Sequence, residues 1–574
     1  MRASGRKTIC FFIIALLYSS LTPLTFTQVS TSLEAQHRSQ REKSICLVGN
    51  VTNLSIDAVK GGLGVTFTLR NTGSVDLANI HIELNVSKSF FIRVKTNMDI
   101  VPALRINESI DIPIQVFGIS LGILRPYPEL TICVTTPENI EKKVQVTTKV
   151  IGFFTKIMNI FFMDEAFNGY TLFSPEYSTM TYLMDKQGNI AHSWESQFIQ
   201  GLGLSLLENG NLLRTVLLYD NPVFISGGVT GGVELFDWNG TRLWQYNYST
   251  TMHCLHHSFE VLPNGNILLV GWEFKSAAEA IAAGRDPSSL PLGELWPDHV
   301  IEVEPTGSTE GTIVWEWHIW DHLIQDFDPT KENYGVVKEH PELLDINYGI
   351  EDANKIRADW NHINSIDYNK QFDQIVLSAR HQNEIWIIDH STTTPQAAGH
   401  TGGRSGKGGD LLYRYGNPKT YEAGDVTDQR FFGQHDAQWI SEGYPGAGHL
   451  LVFNNGEGRP QGQYSTVEEL LLPVDENGSY YLEPNASYGP DEPVWTYTAE
   501  NPYDFFAGYL SSTQRLPNGN TLICDGDHGI FFEVTVEKKT VWIYHNNLPS
   551  PFLSHVFKVL CYAPDYPGLR NLYL

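Results

Sequence analysis

From Gly64 to Ser87 the chain reads GVTFTLRNTGSVDLANIHIELNVS, with apolar and polar residues alternating on both sides of a turn at Asn71-Thr72-Gly73. Two more alternating runs follow, SIDIPIQVFGI and ELTICVTT. A period of two puts one face of a strand in a core and the other in water. Short strands of this kind, separated by turn signals, predict an immunoglobulin-like β-sandwich over residues 44–152. No cluster of reactive side chains falls in this stretch, so its expected role is packing or spacing.

Beyond residue 153 the pattern repeats. LSLLENGNLLRTV, FEVLPNGNILLVG and QRLPNGNTLICDG each run an apolar strand into Asn-Gly-Asn and out into a second apolar strand. Asn-Gly predicts a two-residue hairpin turn with both residues at positive φ. NSIDYNKQFDQIVLSAR and AQWISEGYPGAGHLLVFNNG are divergent copies. Downstream of the hairpins come strands with an aromatic residue placed to pack between sheets: NIAHSWE, TRLWQYN, TIVWEWH, DLLYRYG, PVWTYTA and TVWIYHN. Repeated antiparallel units predict a β-propeller, and six aromatic strands predict six blades across residues 153–574. The segment 274–359 is expected to be loop and short helix capping one face. The fold class expected is all-β: a six-bladed β-propeller preceded by an N-terminal immunoglobulin-like β-sandwich.

Composition supports strands with tight turns: aromatics reach 12%, with 13 Trp among 574 residues. The net charge of −26 and the lack of a basic cluster argue against nucleic acid as a partner. Against that background, a site for an anion must supply its own positive groups. Arg2, Arg6 and Lys7 precede an apolar run from Ile9 to Tyr18. This marks residues 1–28 as a signal peptide or an uncleaved N-terminal membrane anchor. The chain is therefore expected to be extracytoplasmic: secreted, periplasmic or at the cell surface. Sequons at Asn50, Asn53, Asn85, Asn107, Asn239, Asn247, Asn477 and Asn485 fit an exported glycoprotein. Beyond Cys10 there are five cysteines, Cys46, Cys133, Cys254, Cys524 and Cys561. Cys46 and Cys133 bracket the sandwich and are candidates for a disulfide. The odd count leaves a free thiol or an intermolecular bond.

Three histidines share one repeat phase. His257 in HCLHHSFEVLPNGN, His362 in ADWNHINSIDYN and His435 in FGQHDAQWI each open a hairpin, and Ser511 holds that phase in the next copy. The innermost strand of each propeller blade lines the central channel, so these residues are expected to converge there. Arg380 and His381, in LSARHQNEIW, end the second strand of the His362 hairpin and are placed to reach the same funnel. A lone channel histidine is ordinarily a satisfied polar group. Three with an arginine leave two chemistries open. One is a three-histidine metal site with Asp436 or Asp359 behind the rings; Arg380 counts against it, since a cation disfavours a guanidinium neighbour. The other is the binding and transfer of an anionic, oxygen-rich group such as sulfuryl or phosphoryl. Arginine grips such a group bidentately, while imidazoles attack or donate. GGRSGKGGD lacks the phosphate-loop spacing and reads as a surface loop, so nucleotide-dependent transfer is not expected.

DWNHINSIDYN, IVLSARHQNEIWIID, LLYRYGNP, GQHDAQWI, LLVFNNGEGRP and QRLPNGNTLICDGDHGIFFEVT occur in the order found in the arylsulfate sulfotransferases. From about residue 168 to the C-terminus the chain resembles that family. The resemblance implies an exported enzyme that moves a sulfuryl group from an aryl sulfate donor to a phenolic acceptor. It implies a ping-pong route through a sulfohistidine, with no nucleotide or other cofactor and no metal. His435 would be the nucleophile, and His257, His362 and Arg380 would bind the sulfuryl oxygens. His256, His381, Asn455 and Arg459 would contact substrate. The expected partners are small molecules, with a homodimer and anchoring through the N-terminal segment left open. Two departures stand out. Ser258 replaces an aspartate common after the second histidine, and no cysteine pair flanks His435. Two rival readings are a non-catalytic ligand- or partner-binding propeller and a quinone-cofactor dehydrogenase; the latter lacks its adjacent cysteine pair here.

Overall fold

The computed structural model describes residues 52–87, 92–120, 127–162, 164–290, 292–350, 357–484, 486–550 and 553–574. The leader, Cys46 and the sequons at Asn50 and Asn485 lie outside them. The other six sequon asparagines are exposed.

The alternating N-terminal runs are strands. In Ser109–Ser120, Ile112, Ile114 and Val116 are buried while Asp111, Pro113 and Gln115 face out. Leu54–Asn71 pairs with it in antiparallel register, Val65 opposite Ile114 and Leu69 opposite Ile110. Glu129–Thr135 lies between Leu77–Ser87 and Glu141–Gly152. The inward faces of both ladders share a core that includes Phe67, Leu69, Ile80, Ile112, Ile132 and Val144. Asn71 makes the first turn: its Oδ1 accepts from Gly73 N–H at 2.9 Å, and its Nδ2 donates to the Val75 and Leu104 carbonyls. A side chain that mimics a backbone turn is why asparagine suits this position. Cys133 is a free thiol that donates to Glu141, with burial first among the causes raising it to about 11.

Beyond residue 168 the regular structure is almost all strand, joined by turns and loops. Five separate four-stranded antiparallel sheets form a propeller-like array. Their innermost strands are Val556–Tyr562, Gln200–Leu206, His253–Val261, Ile363–Asn369 and His435–Trp439. The first sheet is closed from both ends of this region, because Val556–Tyr562 pairs with Tyr170–Pro175. Ser511–Arg515, Thr521–Asp525, Ile530–Val534 and Thr540–His545 make another four-stranded antiparallel run. Its outer edge continues through Phe154–Phe162 into the N-terminal ladders, Trp542 standing opposite Phe161.

Each aromatic repeat is the outermost strand of its set, and its ring reaches a neighbouring set. Trp194 donates to the Asp237 carbonyl, Trp244 to Glu310, Trp315 to the Thr392 hydroxyl, Tyr413 to Gly489, Trp495 to Val536 and Trp542 to Lys186. A buried indole or phenol needs such an acceptor, and here the acceptors stitch one sheet to the next.

The Asn-Gly-Asn hairpins form, but not with the expected turn. Only Gly210, Gly265 and Gly519 take positive φ, between +86° and +89°, and no preceding asparagine does. Asn209, Asn264 and Asn518 instead accept from the N–H two residues on at 2.9–3.1 Å. The asparagine closes the turn with its side chain, and glycine alone takes the left-handed step. The segment 274–359 also differs from expectation. Asp298–Thr306 and Glu310–His318 are the outer strands of the third sheet rather than part of a cap. Helix Ala277–Ala282, capped reciprocally by Ser276 and Glu279, packs with the loops around it against the third and fourth sheets.

Candidate active site

Residues from the inner strands surround an axial cavity of about 630 Å³. His257, His362, Arg380 and His435 all line it, with His381, Asp359 and Phe557. His257 and His362 lie 4.6 Å apart between ring centroids, and Phe557 stands 5.8 Å from both His257 and His435.

The three histidines do not share one backbone phase. His257 and His362 themselves take the left-handed step, at φ +54° and +56°. In the third strand that step falls on Asp436, at φ +53°, so His435 enters one residue earlier. The steps at His257 and Asp436 lie within a bulge between inner and second strands, and the step at His362 comes just before one. A bulge re-aims a side chain that the pleat would otherwise send into a sheet face. Gly228, at φ +84°, leaves room for the His257 ring: a Cβ there would sit 1.9 Å from Cε1.

Hydrogen bonds define the proton on His435. Its Nδ1 lies 2.8 Å from Asn455 Oδ1 and 3.0 Å from the Gly433 carbonyl, both acceptors. Asn455 is fixed in this orientation because its Nδ2 donates to the Ala507 carbonyl and Ser511 Oγ. Nδ1 therefore carries the hydrogen, and the Nε2 lone pair is left for the cavity. Burial, then the positive charge of Arg380, pulls His435 down to about 3, so the ring is neutral at ordinary pH.

The other rings are backed differently. Nδ1–H of His362 donates to Asp359 Oδ2 at 2.6 Å, and Asp359 also accepts from Ser226 and the Trp272 indole. Burial opposes ionisation of Asp359, but His362, His381 and the Ser226 hydroxyl outweigh it and hold the carboxyl below its usual range. His257 Nδ1 meets His256 Nδ1 at 2.8 Å, and His256 Nε2 lies 2.6 Å from Asp298 Oδ1, close but without hydrogen-bond alignment. Burial and the surrounding positive groups push His257 well below its usual value. Arg380 is paired with Glu457 at the cavity edge.

Of the four further residues expected to touch substrate, three lie off the cavity lining. His256 is buried behind His257, stacked on Trp272 at 4.0 Å. Asn455 is buried behind His435 as its hydrogen-bond partner. Arg459 packs over the Phe432 and Tyr464 rings away from the cavity lining. His381 does line the cavity, but its Nδ1–H donates to the Asp359 carbonyl and its Nε2 accepts from Arg357. Asp359, His362 and His381 approach within metal-ligating reach. The His362 proton on Asp359 and the Arg357 guanidinium on His381 occupy the directions an ion would need. The sequence reading passed over Phe557, Tyr509, Glu176 and His555, which also face the cavity. Phe557 had one usable signal, the apolar run of HVFKVLCY, broken only by Lys558, on a closing strand.

An all-β propeller-like protein with a histidine- and arginine-lined axial cavity defines the class. The arylsulfotransferase (ASST) family matches residues 137–548, and the chain belongs to it. The arylsulfate sulfotransferase AssT of Escherichia coli O6:H1 (strain CFT073) is 26% identical over 261 residues, 41% of this chain and 40% of that protein. The arylsulfate sulfotransferase AssT of Lelliottia amnigena is 27% identical over 255 residues, 39% and 38% of the two chains. The chain thus spans about two fifths of the length of these relatives. Among solved structures, a Bacteroides caccae protein of unknown function aligns with a TM-score of 0.38 at 12% identity, over 69% of this chain and 98% of that one. A putative 6-phosphogluconolactonase from Bacteroides fragilis aligns at 0.34 and 11%, over 70% and 98%.

Proposed function

We propose that the protein transfers a sulfuryl group from an aryl sulfate to a phenol without a nucleotide, through a sulfohistidine on His435. The observation that carries this reading is the neutral His435 ring with Nε2 bare toward a cavity shared with His257, His362 and Arg380. In the donor step Nε2 forms the N–S bond, the S–O(aryl) bond breaks, and the electron pair leaves with the phenolate. A protonated His362, its Nδ1–H held by Asp359, gives its Nε2 proton to the leaving oxygen, and Arg380 offsets charge on the sulfuryl oxygens. In the second step the acceptor oxygen forms the new S–O bond, its proton returns to Nε2 of His362, and the N–S bond breaks. The sulfuryl centre is held loosely in such a transfer, so positioning and charge do most of the catalysis.

The same proposal counts Ser511–His545 as a sixth blade, after the five separate sheets. Its support is the circuit of aromatic donors, in which Trp542 of that set reaches Lys186 beside the first sheet. Residues 44–152 then form the immunoglobulin-like sandwich and 153–574 the catalytic propeller. We place the enzyme outside the cytoplasm, with the leader cleaved or retained as an anchor and the exposed sequons as glycan sites.

The test is to quench the protein with a chromogenic aryl sulfate and no acceptor, then map the adduct by mass spectrometry. One phenolate released per chain with a sulfated His435 is the expected result. A burst without adduct at His435, or no burst with several aryl sulfates, overturns the reading.

A further inference from the structure

The Gly-rich stretch 399–410 is not used by the transfer site, and it is not loose. Gly408 N–H donates to the Gly402 carbonyl and Gly409 N–H to Gly399. The Trp317 indole donates to the Gly409 carbonyl at 2.7 Å. The loop brings His400 and Asp410 back to one point, against His322 from the segment after the third sheet. Glycine at 409 makes the closure feasible, since a Cβ there would lie 2.0 Å from the Ala397 carbonyl and 2.6 Å from His322 Nε2.

At that point three donor atoms meet. His322 Nδ1 lies 2.8 Å from Asp410 Oδ1, and His400 Nδ1 lies 2.7 Å from the same oxygen. His322 Nε2 is 2.8 Å from the Ala397 carbonyl, which can only accept, so the Nε2 hydrogen points there. That leaves the Nδ1 lone pair of a fully buried ring facing a carboxylate oxygen. Two acceptors do not rest 2.8 Å apart unless something positive joins them, a second proton or a metal ion. A ring nitrogen aimed at a carbonyl while the other faces a shared point is the arrangement by which metal-ligating histidines are oriented.

We propose that His322, His400 and Asp410 form a site for a zinc-class divalent ion that clamps the Gly-rich loop to the segment carrying His322. The three donor atoms lie within 4.8 Å of one another. Zinc bonds of about 2.0–2.2 Å at tetrahedral angles set donors about 3.3 Å apart. The atoms therefore need to open by about half an ångström. His400, whose side chain is 61% exposed, can provide that movement, and its solvent side leaves a fourth position for water. Two imidazoles and one carboxylate suit zinc, or cobalt as its probe, rather than calcium or magnesium, which take oxygen shells.

The test uses the full chain stripped with a chelator. Zn²⁺ is titrated against a chromophoric competitor, and Co²⁺ is added separately to read its visible ligand-field bands. The expected result is one equivalent of Zn²⁺ that raises the melting temperature, with intense four-coordinate cobalt bands. His400→Ala, which removes an exposed ligand, should weaken binding at least tenfold and erase those bands, and Asp410→Asn should do the same. Absence of binding in the wild type would mean that a second proton holds His322 against Asp410. Binding unchanged in both variants would place the ion elsewhere. Either result overturns the proposal.

Discussion

The same inner strands line two cavities along the propeller axis, and the two are chemical opposites. The larger one presents His257, His362, Arg380 and His435. The smaller, about 200 Å³, presents Glu260, Asp367, Asp436 and Lys558. A step of one to five residues along a strand separates the two sets: His435 faces one chamber and Asp436 the other. In both, burial drives titratable groups toward neutrality. In the first it lowers His257 and His435. In the second, burial and then neighbouring negative charge lift Glu260, and burial lifts Asp367, above the usual carboxylate range. Lys558 is raised despite burial, because Asp436, Glu260 and Asp367 surround it, and its Nζ donates to Asp436 at 2.8 Å. The lesson is that desolvation alone makes no catalyst. It leaves a bare imidazole lone pair where an acceptor pair fixes the proton on the far nitrogen, and a lysine paired with carboxylates where acidic groups crowd together.

The sharpest break of this contrast is His435→Asn. It should abolish the donor burst and the adduct, a loss of more than about a thousandfold by stopped-flow absorbance, whereas His362→Asn should slow the burst about 100- to 1000-fold and still leave some adduct. Because His435 is held down to about 3, the wild-type donor step should not lose its nucleophile to protonation between pH 8 and pH 5. A loss of nucleophile in that window, traced by adduct yield, would mean that the ring titrates higher than its surroundings imply.

Arg380→Lys comes next, at about 10- to 100-fold in kcat/KM, since a lysine keeps the charge but not the fork that spans two sulfuryl oxygens. Circular dichroism should show the fold unchanged. Asp298→Asn is a smaller and more informative change. Asp298 touches His256, which touches His257, so the substitution alters which ring holds the hydrogen between their facing Nδ1 atoms without touching the cavity. About a tenfold fall in transfer rate is expected with a displaced pH profile; a fall with an unmoved profile would make Asp298 structural only.

The smallest effect belongs to the acidic chamber. A carboxyl raised in the folded state adds stability that is full below its unfolded pKa and fades as pH rises toward the folded value. Glu260→Gln should therefore flatten the decline in melting temperature between pH 5 and pH 8 and gain a few degrees at pH 8. The donor burst should be unchanged.

Much of this was legible in the sequence, for a physical reason. A residue tied to a repeating hairpin inherits its address from the repeat, which is why His257, His362, His435 and Arg380 could be placed in one cavity before any coordinates. Three things were hidden. The left-handed step that sets His435 one residue out of phase depends on a bulge, and a bulge leaves no periodic mark. Asp298 meets His256 only once the third sheet pairs Trp272 with Asp298. Asn455 and Arg459 share one motif, yet one turns inward to His435 and the other packs on aromatic rings, a divergence decided by tertiary contacts.

The strand Val556–Tyr562 joins the two ends of this region and carries Phe557 between His257 and His435. Its partner at Tyr170 is made nearly four hundred residues earlier. The first sheet must therefore wait, one strand short, until Val556–Tyr562 has been made, and a contact this distant in sequence is slow to find. Until it forms, one wall of the cavity is missing. The closed chamber is thus a property of the finished ring, and a chain cut before Val556 would hold all three histidines yet lack the strand that walls them in.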